Sequence, residues 1–151
     1  MSRQQGPYVD FQLNGKSGIK ATLGSSSGKL NLPPGTGRAG ESAARTHVTN
    51  KLGYEIVATN YRTREGEVDI VARAGSWLVF FEVKTRTNRS FGSGVEQISV
   101  QKSLRLRAAA RSYLAENNLE NSDWRIDLLS VEMDRSGRVI QIDHIELAIE
   151  E

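Results

Sequence analysis

Residues 77–86 have the sequence WLVFFEVKTR, in which five apolar residues run directly into charged ones. A short run rich in aromatic and β-branched residues predicts a buried β-strand. Alternate residues of a strand point to the same side, so Glu82, Lys84 and Arg86 share one face. The most hydrophobic strand of this chain therefore ends with a carboxylate and an amine on the same face.

The segment before this strand adds carboxylates. Residues 67–73, EVDIVAR, predict a second strand, joined to WLVFFEVKTR by a short turn at Ala74–Gly75. If those two residues form the loop, Glu67 lies opposite Glu82 and Asp69 lies diagonal to it, whereas a loop one residue longer would reverse the faces. Crowded carboxylates repel each other, so we expect a lysine or a hard divalent cation to offset them.

A helix before the strands contributes one more acid. One acid and three apolar residues recur at helical spacing, namely Glu41, Ala44, Val48 and Leu52. Gly53 ends the pattern as a glycine after a helix does. Alternatively, Glu41 merely caps the first helical turn, while Glu82 and Lys84 begin a solvated strand end. The combination with Asp69 across a hairpin favours a functional site.

The remaining segments complete a mixed architecture. Residues 54–61 predict a strand before the hairpin, and residues 95–116 predict a long helix. Residues 124–133 and 138–149 predict two further strands around a turn at 134–137. The predicted order is α-β-β-β-α-β-β, an α/β fold with a mixed central sheet flanked by helices.

Composition separates an N-terminal segment from the rest. All three prolines and a Gly-Ser-Ser-Ser-Gly run lie within residues 1–36, which predicts a disordered leader before a single domain at residues 37–151. The lack of cysteine excludes disulfides and thiolate metal sites. The five-residue apolar run is too short for a membrane span. We therefore expect a soluble, cytoplasmic protein.

Charge is distributed unevenly along the chain. The formal net charge is +2, with +9 in residues 1–113 and −7 in residues 114–151. A basic body suits nucleic acid, although solubility alone would also explain it. Six basic residues flank the motif strands or lie on the second helix and are candidate phosphate contacts: Arg62, Arg64, Arg86, Arg89, Lys102 and Arg105. For the helix, the alternative is a solvated basic face.

These residues together resemble the PD-(D/E)xK nuclease superfamily. Asp69 precedes Glu82-Val83-Lys84 at the end of an apolar strand, after a helix that carries Glu41. More closely, the segments GRAGESAA, GYEIVATNYR, GEVDIVA, FFEVKTR and IDHIELAI resemble the YraN-like family of bacterial proteins over residues 37–149. The resemblance implies a restriction-endonuclease-like fold, similar to archaeal Holliday junction resolvases. It departs at Val68, where the superfamily motif has proline before the aspartate, and many superfamily members share this departure.

The resemblance also implies a role for each residue. The implied catalytic set is Glu41, Asp69, Glu82 and Lys84. The implied ligands of Mg²⁺ or Mn²⁺ are Asp69, Glu82, the carbonyl of Val83 and, for a second metal, Glu41. Lys84 would orient the attacking water or stabilise the charge that develops on phosphate. Glu67 would contact these ligands without binding the metal itself.

The implied activity is metal-dependent hydrolysis of phosphodiester bonds by an endonuclease. DNA is favoured over RNA, and branched DNA is a candidate substrate. Resolvase-like relatives act as dimers because a four-way junction has two-fold related scissile sites, so a homodimer is one expectation; no membrane partner is expected. The alternative is a nuclease-fold protein that binds nucleic acid without cutting it.

Overall fold

The computed structural model describes residues 35–87 and 98–147 of the 151-residue chain. In chain order the elements are α1 (Thr36–Thr46), a π-helical turn (His47–Lys51), β1 (Glu55–Arg62), β2 (Glu67–Ala74), β3 (Trp77–Arg86), α2 (Val100–Glu116), β4 (Asp123–Met133) and β5 (Val139–Leu147). The predicted mixed α/β class and element order are confirmed. Of the helices in the two described ranges, none is long and apolar enough to cross a membrane.

Some sequence predictions fall outside those ranges or at their edges. The predicted leader lies outside the described residues up to position 34, and α1 already begins at Thr36, inside the segment assigned to the leader. The predicted helix start at residues 95–97 also lies outside the described residues. Residues 98 and 99 precede α2, so the second helix begins later than its sequence pattern indicated.

The first helix ends in a wider turn than expected. After Thr46 the chain continues as a π-helical turn, in which the Leu52 N–H donates to the His47 carbonyl at 3.0 Å. The glycine predicted to end this pattern does so, because Gly53 has a φ of +74°. Residues with a side chain adopt that conformation at a cost that glycine avoids.

The five strands form one mixed sheet in the order β1-β2-β3-β4-β5. β3 and β4 are parallel, and every other neighbouring pair is antiparallel. Parallel neighbours need a crossover, and α2 provides it between β3 and β4. Since α2 returns the chain from the end of β3 to the start of β4, its N-terminus lies toward the carboxyl ends of both strands.

The two helices cover opposite faces of the sheet. On one face, α2 buries Leu106, Ala110 and Leu114 against Leu78 and Phe80 of β3. On the other face, α1 and the π-helical turn bury Ala44 and Val48 against alternating residues of β3 and β4, namely Val79, Phe81, Val83, Leu129, Val131 and Met133. The alternation of β3 therefore sends Glu82 and Lys84 toward the α2 face, as its sequence pattern predicts.

The β2–β3 hairpin has a different register from the predicted one. Its loop is Gly75–Ser76, and Ala74 pairs with Trp77. Gly75 has a φ of +64°, which suits a loop position better than a paired one. Arg73 consequently pairs with Leu78, whereas the predicted loop at Ala74–Gly75 would pair it with Ser76.

This shift corrects the predicted position of one carboxylate. The prediction that Glu67 lies opposite Glu82 is wrong: Glu67 instead pairs across to Arg62 on β1. The register has moved by two residues, and the last pair of the β2–β3 ladder is Ile70–Phe81. Beyond that pair, Asp69 is joined to β3 through its side chain.

Two glycines let the helices approach the end of the hairpin closely. A Cβ on Gly40 of α1 would overlap the side chain of Thr85 near the end of β3. A Cβ on Gly66, in the β1–β2 turn, would lie 2.6 Å from the carbonyl oxygen of Arg105 in α2. Both contacts require glycine for close approach and place the helices around the carboxyl end of β3.

Candidate active site

Asp69 is tied directly to the strand that carries the Glu-x-Lys motif. It is buried, and its Oδ2 accepts a hydrogen bond from the backbone N–H of Val83 at 2.7 Å. The bond to Val83 is a side-chain one and lies just beyond the Ile70–Phe81 pair, the last in the β2–β3 ladder. The Asp69 carboxylate is thereby held beside the Glu82–Val83 peptide, as the sequence predicts for the two acids.

Glu82 lies at the bottom of the site, under α2. Its side chain is fully buried, and its Oε2 is 3.4 Å from the Nζ of Lys102. Lys102 belongs to the first turn of α2, where the hydroxyl of Ser99 caps the helix by accepting from the Lys102 N–H at 3.0 Å. A buried cation from the helix therefore meets the buried carboxylate from the strand.

The position of Lys102 corrects an expectation from the sequence. It was predicted to lie with the exposed basic residues that contact phosphate, yet it is only 6% exposed. The physical reason is its place on the helix, because Lys102, Leu106, Ala110 and Leu114 recur every four residues and face the sheet. That spacing is visible in the sequence and would have placed Lys102 inside.

Lys84 is also buried and lies beside two polar residues of β4 that sequence reasoning missed. The parallel register pairs Lys84 with Ser130 and Arg86 with Glu132, and both β4 residues are buried. Their alternation with Leu129, Val131 and Met133 predicts a shared face. Their proximity to the motif depends on the β3–β4 pairing, which no local pattern specifies.

The two remaining predicted carboxylates lie at the edges of the site. Glu41 is half-buried and directly follows Gly40, the residue of α1 that packs against Thr85. Glu67 is buried and forms an ion pair with Arg62, whose Nε is 3.0 Å from Oε2. Arg62 therefore contacts an acid of the site, while its own side chain remains 74% exposed.

The other predicted phosphate contacts vary in exposure. Arg64 is exposed in the β1–β2 turn, and Arg86 and Arg105 are half-buried at the end of β3 and on α2. Arg89 lies outside the described residues. The exposed or half-exposed guanidinium groups thus border the site on the β1, β3 and α2 sides.

The donor set fits magnesium only in part. Within residues 35–87 and 98–147, no three His, Asp or Glu side chains are arranged to hold a metal ion. Glu41 is therefore not joined to Asp69 and Glu82 in a three-carboxylate ligand group. Mg²⁺ in enzymes is commonly held by one or two carboxylates, with waters and substrate phosphate completing the octahedron. Asp69, Glu82 and the Val83 peptide fit that simpler arrangement.

We call Asp69, Glu82, Lys84 and Lys102 the α2-face cluster. A second buried group, the α1-face cluster, lies on the opposite face and consists of Tyr54, Arg125, Asp127 and His144. Asp127 is fully buried and accepts hydrogen bonds from Arg125 Nε at 3.0 Å and from His144 Nε2 at 2.7 Å. Arg125 also donates to the Tyr54 hydroxyl at 3.3 Å and pairs with Glu146 at 3.4 Å.

The pKa directions agree with this geometry. Burial alone would lower the pKa of Arg125, but the charge and hydrogen bonds of Asp127, with Tyr54 and Glu146, outweigh it and raise the pKa. Nearby, burial lowers the pKa of His47 from its ordinary value of 6.5, assisted by the positive charges of His144 and Lys51.

Comparison with known proteins gives a family for this arrangement. The model of "Uncharacterised protein family UPF0102" matches residues 40–131, which include every member of the α2-face cluster. A UPF0102 protein of Parafrankia sp. is 44% identical over 108 residues, covering 72% of this chain and 90% of the relative. A UPF0102 protein of Chloroflexus aurantiacus is 40% identical over 116 residues, covering 76% and 92%.

Among solved structures, Pyrococcus furiosus SfsA in complex with Ca²⁺ is similar at 19% sequence identity and a TM-score of 0.36. The likeness covers 77% of this chain and 64% of that chain. It is too distant for anything to be transferred from that protein to this one.

Proposed function

Since the chain belongs to Uncharacterised protein family UPF0102, whose match includes the whole α2-face cluster, we propose that it is a metal-dependent endonuclease that hydrolyses phosphodiester bonds in DNA. The observation that carries the proposal is the bond between the Asp69 carboxylate and the Val83 N–H at 2.7 Å. It fixes one acid beside the buried Glu82, two residues before the buried Lys84. Two carboxylates and an ammonium group converge at the carboxyl end of a strand, where open α/β sheets bind their ligands.

The carboxylates are the groups that would hold Mg²⁺ or Mn²⁺. Asp69 and Glu82 come from adjacent strands and present oxygen donors, with the Val83 carbonyl next to them in the chain. A bound divalent cation would polarise the scissile phosphate and acidify a coordinated water. Glu41, midway along α1, would contribute at the rim of this site through water. Glu67 keeps Arg62 at the same edge through their ion pair.

Lys84 is the group that we propose to act in the transition state of cleavage. Its ammonium is buried, where charge interactions are stronger than in water. It is held two residues after Glu82 on the same strand face and pairs through the backbone with Ser130. An ammonium fixed in that position would stabilise the charge that builds up on the phosphoryl oxygens, or orient the attacking water.

The surrounding basic residues suit a DNA backbone. Arg64 is exposed, Arg62 is largely exposed, and Arg86 and Arg105 are half-buried around the same end of the sheet. The N-terminus of α2 lies at this end as well, and helix N-termini favour phosphate. Such contacts give salt-dependent binding without base specificity. A homodimer belongs to the proposal for branched DNA, which presents two related scissile bonds.

A second candidate function is binding of nucleic acid without cleavage. Its support is the ion pair between Lys102 and Glu82, together with the lack, within the described ranges, of a three-ligand metal group. Under this reading, Glu82 is neutralised inside the protein and the basic rim alone contacts DNA. The buried acids weigh against it, because a pure binder gains nothing from carboxylates near phosphate.

The testing experiment compares wild type with Asp69→Asn in metal titration and in cleavage. Asparagine keeps a side-chain oxygen that accepts from the Val83 N–H, but it removes the negative charge. We expect calorimetric binding of Mn²⁺ by wild type and none by Asp69→Asn. With linear, flapped and four-way DNA in Mg²⁺ or Mn²⁺, we expect cutting by wild type only.

Glu120→Gln is the matched control, since it removes an exposed carboxylate between α2 and β4. It should bind metal and cut DNA like wild type. If wild type cuts no DNA in the panel while its DNA binding is intact, the second candidate replaces the first. Equal heats from wild type and Asp69→Asn would remove the metal site itself.

A further inference from the structure

Lys102 is a cation near the N-terminus of α2, where helices favour negative charge. It lies in the first turn of α2, which contains no acidic residue. The helix dipole disfavours a cation at this end, so Lys102 does not serve the helix itself. Its side chain is 7% exposed and extends to Glu82, whose side chain is fully buried. The lysine therefore serves the carboxylate.

The distance indicates how the pair is held. Lys102 Nζ and Glu82 Oε2 are 3.4 Å apart, whereas charge-assisted hydrogen bonds between such groups are about 2.7–2.9 Å long. Attraction between the charges, more than a short hydrogen bond, joins the two groups. A lysine ammonium is a compact charge on a flexible four-carbon stem, which can move away when another cation takes its place.

We infer that Lys102 is a built-in counter-cation that competes with the divalent metal for Glu82, so that metal binding displaces its ammonium group from the carboxylate. This rests on the proposed metal site. Without metal, the Lys102 ammonium is the positive charge 3.4 Å from the buried Glu82 carboxylate and helps to keep the site folded. With metal, the divalent cation takes over that role. Lys102 is thus a positioning residue that sets the metal concentration at which the site fills.

The inference predicts that one substitution raises the affinity for metal and lowers the stability of the metal-free protein. Lys102→Met removes the competitor, so Mn²⁺ should bind more tightly, by about tenfold, the scale on which neighbours of metal ligands alter affinity. The same variant leaves Glu82 buried without its ammonium when metal is absent, so it should melt at a lower temperature. Saturating Mn²⁺ should restore most of that loss.

An ion pair with a purely structural role gives a different pattern. In that case Lys102→Met lowers the melting temperature equally with and without Mn²⁺ and leaves the metal affinity unchanged or weaker. Calorimetry and thermal melting over a Mn²⁺ series separate the two patterns, and neither needs enzymatic activity. If the methionine variant does not fold, the same measurements are made on Lys102→Gln, whose side chain is polar and of similar length.

Arg111→Gln is the matched control because it removes one positive charge from the exposed side of the same helix. Its Mn²⁺ affinity should stay within about twofold of wild type, since exposed charges are screened by salt. Tighter binding by the Lys102 variants alone supports the inference. Unchanged or weaker binding by them, with wild type still binding, overturns it and leaves the proposed metal site standing. No binding by wild type overturns both.

Discussion

The two faces of the sheet bury charge in different ways. In the α1-face cluster, Asp127 accepts hydrogen bonds of 2.7–3.2 Å from His144 and Arg125, and these donors come from β4 and β5 alone. In the α2-face cluster, the acids come from β2 and β3, and one of the cations comes from α2. The Lys102–Glu82 pair there is 3.4 Å long.

The difference separates a structural network from a candidate site. Asp127 accepts short hydrogen bonds from Arg125 of its own strand and from His144 of β5, and the His144 bond helps to hold β5, an edge strand, onto the sheet. Rearranging them would leave a buried charge uncompensated, which is costly. A looser ion pair on a flexible lysine, at the carboxyl end of a strand, can exchange its cation for a ligand. We therefore expect substitutions on the α1 face to change stability and those on the α2 face to change activity.

The largest expected effect breaks the α1-face cluster. Asp127→Ala leaves the Arg125 and His144 side chains without the carboxylate that both bond to. We expect the free energy of unfolding to fall by about 3–5 kcal/mol, the usual cost of removing one partner of a buried pair. Urea denaturation measures it. DNA cleavage per folded molecule should remain at the wild-type level.

Glu120→Ala is the control for this change, since that carboxylate is exposed and its loss should alter stability by no more than about 0.5 kcal/mol. A loss of cleavage in folded Asp127→Ala that matches the loss in an α2-face variant would show that the two clusters act as one unit.

The next largest effect concerns Lys84 on the α2 face. Lys84→Ala should reduce metal-dependent cleavage by roughly two to three orders of magnitude, about the effect of one preorganised electrostatic group. DNA affinity at fixed salt should change far less, because one phosphate contact among several shifts it modestly. Single-turnover cleavage and a binding titration measure the two quantities side by side.

Lys51→Ala makes the same change at an exposed lysine on the opposite side of the sheet and should cut normally. If Lys84→Ala cuts as fast as this control, Lys84 serves only to balance Glu82, and the contrast between the two faces is lost.

Part of this structure can be predicted from local sequence patterns. The alternation in WLVFFEVKTR and the spacing of Ala44 and Val48 predict the strands, the helices and the buried faces, because periods of 2 and 3.6 residues follow directly from backbone geometry. The β2–β3 register was wrong, since Ala74–Gly75 and Gly75–Ser76 are both plausible loops. Asp69 nevertheless lies beside Glu82, because its side chain accepts from the Val83 N–H.

Other features needed the tertiary structure. Ser130 and Glu132 reach the site only through the parallel pairing of β3 with β4, and a crossover pairing leaves no local mark on the sequence. Lys102 was assigned by its charge to an exposed face, although its spacing with Leu106 and Ala110 indicates the buried one. Hydrophobic spacing was the better guide there.

A smaller effect tests the packing that positions α2. In Gly66→Ala the new Cβ would lie 2.6 Å from the Arg105 carbonyl oxygen, so the helix or the β1–β2 turn must move. We expect a loss of about 1–3 kcal/mol in the free energy of unfolding, typical of overpacking. Because Arg105 and Lys102 are on the same helix, Mn²⁺ affinity should change as well.

Gly37→Ala is the matched control, since a Cβ there meets nothing within 4 Å. It should leave both quantities unchanged or raise stability slightly, as alanine favours helices. A Gly66→Ala protein with wild-type stability and metal affinity would show that α2 does not depend on this close approach.

The smallest expected effect lies beside the α1-face cluster, at His47. Burial, then the charges of His144 and Lys51, lower the pKa of His47 below its ordinary 6.5, so the folded protein binds a proton there less readily than the unfolded chain. Stability should therefore be constant above about pH 6.5 and fall as the pH drops below that value, by at most about 1.4 kcal/mol per pH unit. His47→Gln should flatten that part of the profile. NMR titration of the two histidines measures the pKa directly, and urea denaturation from pH 5 to pH 7.5 measures its effect on stability. A midpoint for His47 at or above 6.5, or identical profiles for wild type and His47→Gln, would show that the α1 face does not sense pH at this residue.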